Sequence, residues 1–304
     1  MPEEEFEELR PSAFAVAYRM LGSVSEAEDV VQEGLLRLHR AREGGERIES
    51  PRAYLSTVVS RLSLDELRSA RVRRETYVGE WLPEPLVESA DDDPAHRLEM
   101  ADSLSVAFLV LLESLSPEQR AAFLLHEVFD EPFDRIAEII GTSTQNARQL
   151  ATRARRHVQE RRPRFEVSRE QREELASRFL AAAEEGDLEG LEELLAQDVV
   201  LRADGGGQAP AARRALHGRA RVARTLIAGL RAGTTRFGGF TLRRGEVNGQ
   251  TGALIFDREG RLGGVMVLDF ADGQIQAVSA IVNPDKLRHL GPLADLRALR
   301  REQG

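Results

Sequence analysis

The sequence predicts a multi-domain chain in which two all-α domains, the second with a helix-turn-helix, are followed by an α+β domain. Three observations predict this fold class. Apolar residues recur at helical spacing over most of the first 162 positions, and a proline-containing acidic segment interrupts them. Alternating apolar runs separated by Asn-Gly and Asp-Gly follow near the C-terminus. A length of 304 residues fits two or three domains.

Composition excludes several classes of protein. Cysteine is absent, which rules out disulfides, zinc ribbons and cysteine nucleophiles and suits a reducing compartment. No apolar run approaches the roughly 18–20 residues of a membrane span, and the N-terminus is acidic instead of resembling a signal peptide. We therefore expect a cytoplasmic protein that does not contact a membrane. Lys286 is the only lysine among 42 basic residues, which indicates codon bias in a GC-rich genome.

The charge distribution favours a nucleic-acid partner more than the net charge of −9 does. Residues 52–74 carry net +4 and residues 144–164 carry net +6, and between them residues 84–102 carry net −6. Local basic patches matter more for DNA binding than the total charge. The alternative is that each run is a solvated helix face.

The first domain, residues 1–77, is predicted to contain three helices. The apolar stripe of the first helix includes Phe14 and Leu21 and stops at a Gly-Ser break. Ser25 is the predicted cap of the second helix, and Pro51 begins the third, where its missing N–H costs little. A linker follows at residues 78–103, because its prolines disfavour helix. We expect Trp81 in this linker to dock on a neighbouring domain.

The second domain, residues 104–163, contains the sharpest local pattern. A short helix over Phe133 to Ile140 is followed by Gly141, which can adopt a positive φ, and by a second helix from Thr144. Two short helices that meet at a glycine form a helix-turn-helix. An ordinary αα-corner is the alternative, and the basic charge that follows favours DNA binding.

The third domain, residues 168–290, begins with helices and ends in a predicted curved antiparallel sheet, with a tail at residues 291–304. Asp204 stands at a strand end before three glycines, which favours a turn or an interdomain contact over a catalytic base. His217 and His289 are expected at the surface. We expect no catalytic residue, metal site or cofactor.

Three motifs stand in order within residues 6–163. They are Asp29-Val30-Val31-Gln32-Glu33, Pro51 to Leu55 with Leu64 to Arg68, and Leu115 to Arg120 with Arg153 to Arg155. In this order they resemble an extracytoplasmic-function RNA polymerase sigma factor. The first motif resembles its polymerase-binding helix, the second its segment for the −10 promoter element, and the third its second domain, which binds the −35 element.

Three further motifs are Trp81-Leu82-Pro83-Glu84-Pro85, Asp204-Gly205-Gly206-Gly207 and Asn283-Pro284-Asp285-Lys286-Leu287. They resemble those of the sigma-J-like group, in which a SnoaL-like, NTF2-like cone is fused to the sigma domains. This resemblance implies an alternative sigma factor that binds core RNA polymerase and the −35 and −10 elements of promoter DNA. It further implies regulation in cis by the C-terminal domain and no enzymatic activity.

The resemblance implies four groups of site residues. The polymerase-binding group is Asp29, Val30, Gln32 and Glu33, for which a solvated acidic face is the alternative. The −10 group is Tyr54, Arg61, Arg68, Arg71, Arg73 and Arg74, with a core position as the alternative for Tyr54. The −35 group is Thr142, Ser143, Asn146, Arg148, Gln149 and Arg153, whose side chains suit base-edge contacts. The interdomain group is Trp81, Pro83, Glu84, Asp204, Gly205, Gly206, Gly207, Asn283, Pro284, Asp285, Lys286 and Leu287.

Two alternatives of other classes stay open. The C-terminal cone could bind a hydrophobic ligand or act as an enzyme fused to a DNA-binding regulator, since a fold does not settle a function. The helix-turn-helix could instead serve a regulator that works without polymerase.

Overall fold

The computed structural model describes residues 3–74, 76–87, 104–161 and 167–296. The acidic positions 91–93 of the linker and the side chains of Arg71, Arg73 and Arg74 lie outside the described part. The chain divides into two compact units. One contains Met1–Thr76 and Phe108–Arg162, and the other contains Tyr77–Ala107 and Pro163–Gly304.

The first unit is helical. Its elements are α1 (Glu3–Leu21), α2 (Val24–Glu43), α3 (Pro51–Arg74), α4 (Val106–Leu112, whose first two residues belong to the second unit), α5 (Pro117–Glu127), α6 (Phe133–Ile140) and α7 (Thr144–Arg161). Helices α1, α2 and α3 pack on one another, and α3 also contacts α5 and α6. The fully buried side chains of Tyr18, Leu38, Leu55 and Leu124 belong to this unit.

Local chemistry sets the helix ends of this unit. Ser23, two residues earlier than predicted, caps α2, because its Oγ accepts the N–H of Glu26 at 3.2 Å. The prediction of Ser25 as the cap is therefore wrong. Gly141 ends α6 with φ of 78°, in the left-handed region that glycine adopts without steric cost. The helix-turn-helix over α6 and α7 forms as predicted.

The second unit is α+β. Its helices are α8 (Arg169–Glu185), α9 (Leu188–Leu194), α10 (Arg219–Phe237) and α11 (Pro284–Leu287). Its strands are β1 (Leu195–Asp204), β2 (Leu216–His217), β3 (Thr241–Val247), β4 (Gln250–Phe256), β5 (Leu262–Ala271) and β6 (Gln274–Ile281). Among the described residues these strands form one sheet in the order β2-β1-β6-β5-β4-β3. The core between helices and sheet includes Phe179, Leu191, Val222 and Val278.

The sheet is mixed, so the prediction of an antiparallel sheet needs one correction. Strand β6 pairs with β1 in parallel, whereas β3 to β6 form an antiparallel meander. No hairpin joins β1 to β6, so no local turn dictates their relative direction. The two predicted hairpin turns are confirmed. Asn248 and Gly249, like Asp272 and Gly273, have positive φ, as a two-residue type I′ turn requires.

The predicted tail belongs partly to this domain. The N–H of Leu262 donates to the carbonyl of Pro292 at 2.8 Å, and the N–H of Ala294 donates back to Leu262 at 2.9 Å. Residues 291–296 therefore pack on the edge of the domain up to Leu296. No helix in the described ranges is long and apolar enough to span a membrane.

Candidate functional site

The exposed face of α2 carries three of the four predicted polymerase-binding side chains. Asp29 and Gln32 are exposed, and the half-buried Glu33 accepts a hydrogen bond from Arg37 at 2.7 Å. Val30 is only 9% exposed and packs in the helical core, so it adds little to the exposed face of α2. Leu36 lies on the same face as Gln32 and is 39% exposed. Leu36 stands one helical turn after Gln32 and was not among the predicted residues.

Helix α3 packs its predicted DNA-contacting face against the helix-turn-helix half of the same unit. Arg61 donates to the carbonyl of Glu138 at 3.3 Å. Arg68 donates to the carboxylates of Glu118 at 3.1 Å and Asp65 at 3.3 Å. Burial raises the pKa of Glu118, but hydrogen bonds from its own backbone and from Arg68 outweigh burial and lower that pKa overall. Tyr54 is half-buried.

Arg135 of α6 reinforces this contact and was not predicted. Its guanidinium donates to Thr57 Oγ1 at 2.7 Å and to the carbonyl of Ala53, both on α3.

Buried arginines also join α1 to α5. Arg120 donates to the carbonyl of Arg19 at 3.2 Å, and burial lowers the pKa of Arg19 to about 10. Hydrogen bonds from arginine side chains therefore link the two halves of the helical unit.

Helix α7 presents the predicted −35 side chains in two ways. Ser143, Gln149 and Arg153 are exposed. Asn146 is exposed but donates to Thr142 Oγ1 at 2.8 Å, and the guanidinium of Arg148 lies 5.6 Å from the centre of the Phe133 ring.

The opposite side of α7 holds the helix in place. Ala147 and Ala151 are buried against the rest of the motif, which fixes the exposed face of α7.

The predicted interdomain residues meet within the second unit, where the N-terminal part of the linker packs on the α+β domain. We call this contact the clasp, and it consists of Tyr77, Trp81, Leu82, Asp204, Asn283 and Lys286. The Asp204 carboxylate is completely buried at the end of β1. It accepts hydrogen bonds from Tyr77 Oη at 2.5 Å, from the Leu82 N–H at 2.9 Å and from Lys286 Nζ at 2.7 Å. The carboxylate thus joins the linker to α11.

The cation of the clasp is enclosed by linker atoms. Lys286 Nζ lies 4.1 Å from the centre of the Trp81 ring and 5.2 Å from that of Tyr77, and it also donates to the carbonyl of Leu82. Cation–π contacts of this kind gain strength when they are desolvated. Burial and the negative charge of Asp204 raise the pKa of the Tyr77 hydroxyl, which therefore stays protonated and donates. The predicted docking of Trp81 is observed.

Small residues allow these segments to approach each other. A Cβ on Gly206 would lie 2.2 Å from Asn283 Nδ2, and its φ of 56° also suits glycine. Asn283 donates to Tyr77 Oη at 2.9 Å. The linker residues Pro83 and Glu84 are buried, as are Gly205 and Leu287. Pro284 is half-buried, Gly207 faces Val78, and Asp285 is exposed and pairs with Arg288.

The turn between β3 and β4 forms a second linker contact, which the sequence analysis treated only as a hairpin. Asn248, only 1% exposed, accepts the Leu86 N–H on Oδ1 and donates through Nδ2 to the Leu104 carbonyl, each at 2.9 Å. Gln250 Oε1 accepts the Val106 N–H at 2.7 Å. One turn therefore holds the linker on both sides of residues 88–103. We call Asn248 and Gln250 the brace.

Comparisons with known proteins match three parts of the chain to described families. Residues 6–73 match Sigma-70 region 2, residues 105–158 match Sigma-70 region 4, and residues 176–278 match the SnoaL-like domain. These ranges coincide with the helical unit and the α+β domain.

Whole-chain similarity points the same way. The chain is 42% identical over 308 residues to the ECF RNA polymerase sigma factor SigJ of Mycobacterium tuberculosis, covering 98% of this chain and 96% of that protein. It is 35% identical over 279 residues to the probable sigma factor SigI of the same organism, covering 90% of each. The crystal structure of Mycobacterium tuberculosis SigJ superposes with a TM-score of 0.73 at 39% identity, over 94% of this chain and 98% of that one.

Proposed function

Because the chain belongs to the extracytoplasmic-function RNA polymerase sigma factors that carry a SnoaL-like domain, it directs promoter-specific transcription initiation, and we propose that its C-terminal domain regulates this activity in cis through the clasp. Sigma factors bind core RNA polymerase and promoter DNA and are not enzymes. The observation that carries the proposal is the buried Asp204 carboxylate, which accepts hydrogen bonds from two linker groups and from Lys286.

The physical argument rests on chain connectivity. The linker joins region 2 to region 4 along the sequence, so the separation that these regions can reach depends on how many linker residues are free. A closed clasp and brace immobilise residues 77–87 and 104–106 on the C-terminal domain. Opening the clasp releases chain length between the −10-binding and −35-binding regions. Regulation of this type requires two states of the linker with different promoter activity.

We further propose where the partners bind. The exposed face of α2 around Asp29, Gln32 and Leu36 suits a basic helical surface of polymerase with an apolar contact point. The exposed side of α7, with Gln149 and Arg153, suits base edges in the major groove at the −35 element. We propose that helix α3 binds the −10 element. Before they can contact DNA, Arg61 and Arg68 must release their hydrogen bonds to Glu138 of α6 and Glu118 of α5.

The test is run-off transcription with core RNA polymerase on the DNA upstream of the protein's own operon. The variant is Lys286→Met in the full-length chain, and the matched control is Arg288→Met, which removes an exposed ion pair two residues away. We expect transcripts from wild type and control, and at least a threefold change in yield for Lys286→Met. Equal yields from all three proteins would contradict regulation through the clasp.

A pull-down with core polymerase separates the two levels of the proposal. A variant that still binds core polymerase has kept its fold and its polymerase-binding surface, so a change in its transcript yield arises after polymerase binding.

One observation favours an additional role for the C-terminal domain, the binding of a small molecule. An apolar cavity of about 370 Å³ lies between α10 and the sheet.

A further inference from the structure

The cavity of the α+β domain is open at a place where a packed core is expected. Its floor includes Ala280 on β6, a strand with hydrogen-bonded neighbours on both sides, and Ala203, which pairs with Ala280 on β1. Ala280 is nevertheless half-buried, because its methyl group faces the cavity. Protein interiors contain few voids larger than a water molecule, and a volume of about 370 Å³ is within the range of small-molecule sites.

The lining decides the chemistry of a ligand. The walls are formed by Leu226, Phe240, Ile255 and Met266. Among the described lining residues no side chain is charged or carries an imidazole, and the hydroxyl of Thr225 donates to the carbonyl of Arg221 at 2.8 Å. A charged ligand would lose its hydration without compensation, whereas an uncharged apolar molecule gains by leaving water. The same lining offers no general acid or base for catalysis.

One wall of the cavity belongs to a loop that also touches the linker. Pro210, Ala211 and Ala212 line the cavity. Five residues earlier, the same loop begins with the glycines beside Asp204, where a Cβ on Gly207 would lie 3.2 Å from Val78 of the linker.

The loop continues to bind the linker on its other side. The N–H of Ala215 donates to Glu80 Oε1 at 3.2 Å. Residues 205–215 therefore contact both the cavity and the linker.

We propose that this cavity binds an uncharged apolar small molecule, and that its occupancy changes the hold of the clasp on the linker through the loop at residues 205–215. The second part rests on the proposed regulation through the clasp. Coupling between two sites is reciprocal. If a bound ligand shifts the equilibrium between the closed and the open clasp by some factor, opening the clasp must change the affinity of the cavity for that ligand by the same factor. This reciprocity allows a test by binding alone, without polymerase.

The probe is N-phenyl-1-naphthylamine, an uncharged aromatic amine whose fluorescence rises in apolar sites, titrated into the full-length protein. We expect saturable binding of one probe per chain. Ala280→Phe fills the floor of the cavity and should weaken the affinity at least tenfold. The matched control Ala181→Phe makes the same change at an exposed position of α8 outside the cavity and should leave the affinity unchanged. Thermal melting of each variant verifies that it is folded.

The coupling is tested with Trp81→Ala, which weakens the clasp from the linker side and does not touch the cavity lining. We expect its probe affinity to differ at least threefold from that of wild type. Absence of saturable binding to wild type, or equal affinities for wild type and Ala280→Phe, would overturn the cavity site. Equal affinities for wild type and Trp81→Ala would overturn the coupling. Both results are independent of the transcription assay, so this inference can fail while regulation through the clasp stands.

Discussion

At the scale of single residues, the buried pair of Asp204 and Lys286 dominates the clasp. Their side chains are 0% and 8% exposed, so both charges have left water, and each needs the other together with the surrounding hydrogen bonds. The pair fixes the position of linker residues 77–86, which contain no helix or strand. A surface ion pair such as Asp285 with Arg288 cannot do this, because water screens it.

The first prediction concerns this pair. Lys286→Met leaves the Asp204 carboxylate buried without a cation, and we expect a loss of ~3–5 kcal/mol in the free energy of unfolding. Urea unfolding of the full chain measures this loss. Arg288→Met should change the stability by less than about 1 kcal/mol. The double variant Asp204→Asn with Lys286→Met should lose less than the sum of the two single losses, and strict additivity would argue against a direct interaction.

The second prediction concerns pH and Asp269 of β5. Burial raises the pKa of its carboxyl, and the hydrogen bond from Gln250 and the positive charge of Arg202 only partly oppose this. The folded state therefore binds a proton more readily than the unfolded state, and stability from this group falls as pH rises through the folded pKa. Asp269→Asn removes the ionisation and keeps an oxygen that can accept from Gln250.

We expect Asp269→Asn to melt at a higher temperature than wild type at pH 7. The difference should shrink as the pH falls towards the ordinary aspartate pKa of 3.8, where the wild-type carboxyl is also neutral. Melting curves of the two proteins from pH 7 to pH 4 measure this. A difference that does not depend on pH would show that the effect is not one of ionisation.

At the scale of elements, the turn between β3 and β4 has two structural roles. It reverses the chain with positive φ at Asn248 and Gly249, and it holds both ends of the linker through Asn248 and Gln250. A turn residue whose side chain is almost fully buried is unusual, because hairpin turns normally face water. Its burial is explained by the linker that covers it.

The third prediction separates the two residues of the brace. Gln250→Met removes the oxygen that accepts the Val106 N–H and leaves in place Asn248, which accepts the Leu86 N–H. We expect hydrogen exchange at residues 104–107 to become about fivefold faster, as the loss of roughly 1 kcal/mol implies. Exchange at residues 84–87 should stay unchanged. Hydrogen exchange with mass spectrometry measures both segments, and equal acceleration at both ends would refute independent contacts.

The same scale shows what could be predicted from the sequence. The boundaries of α6 were predicted correctly because Gly141 and the preceding proline mark its ends locally. The parallel pairing of β1 with β6 was missed because no turn connects these strands. Trp81, Asp204, Asn283 and Lys286 of the clasp were predicted from their motifs. Tyr77 and the geometry of the clasp were not predicted, since Tyr77 and Asp204 are 127 residues apart. Arg135 and Asn248 were missed because their partners are equally remote in sequence.

At the scale of the whole molecule, the division into units does not follow the order of the chain. Residues 77–87 and 104–107 lie between two stretches of the helical unit in sequence but pack with the C-terminal domain. The C-terminal domain therefore contacts the part of the chain that connects region 2 to region 4. Its removal would leave the buried Leu82 and Pro83 without the surface that covers them.

The fourth prediction follows from this arrangement. The protease Glu-C cleaves after glutamate, and cleavage after Glu80 or Glu84 requires the linker to leave the domain. We expect slow cleavage at these two positions in wild type and in Arg288→Met. In the Asp204→Asn, Lys286→Met double variant, cleavage should be at least fivefold faster. Mass spectrometry of the fragments identifies the sites, and equal rates in all three proteins would show that the clasp does not retain the linker.

The burial of Lys286 has a chemical consequence for the whole chain. Since the sequence contains no second lysine, this residue supplies the only side-chain primary amine of the protein. Acylation needs an uncharged and accessible amine, and Lys286 Nζ is paired with Asp204 and enclosed by Trp81. While the linker is docked, an amine-selective reagent therefore reacts with the terminal α-amine and not with Lys286. Once the linker leaves, a single acyl group can attach at Lys286, and that group abolishes the positive charge on which redocking depends.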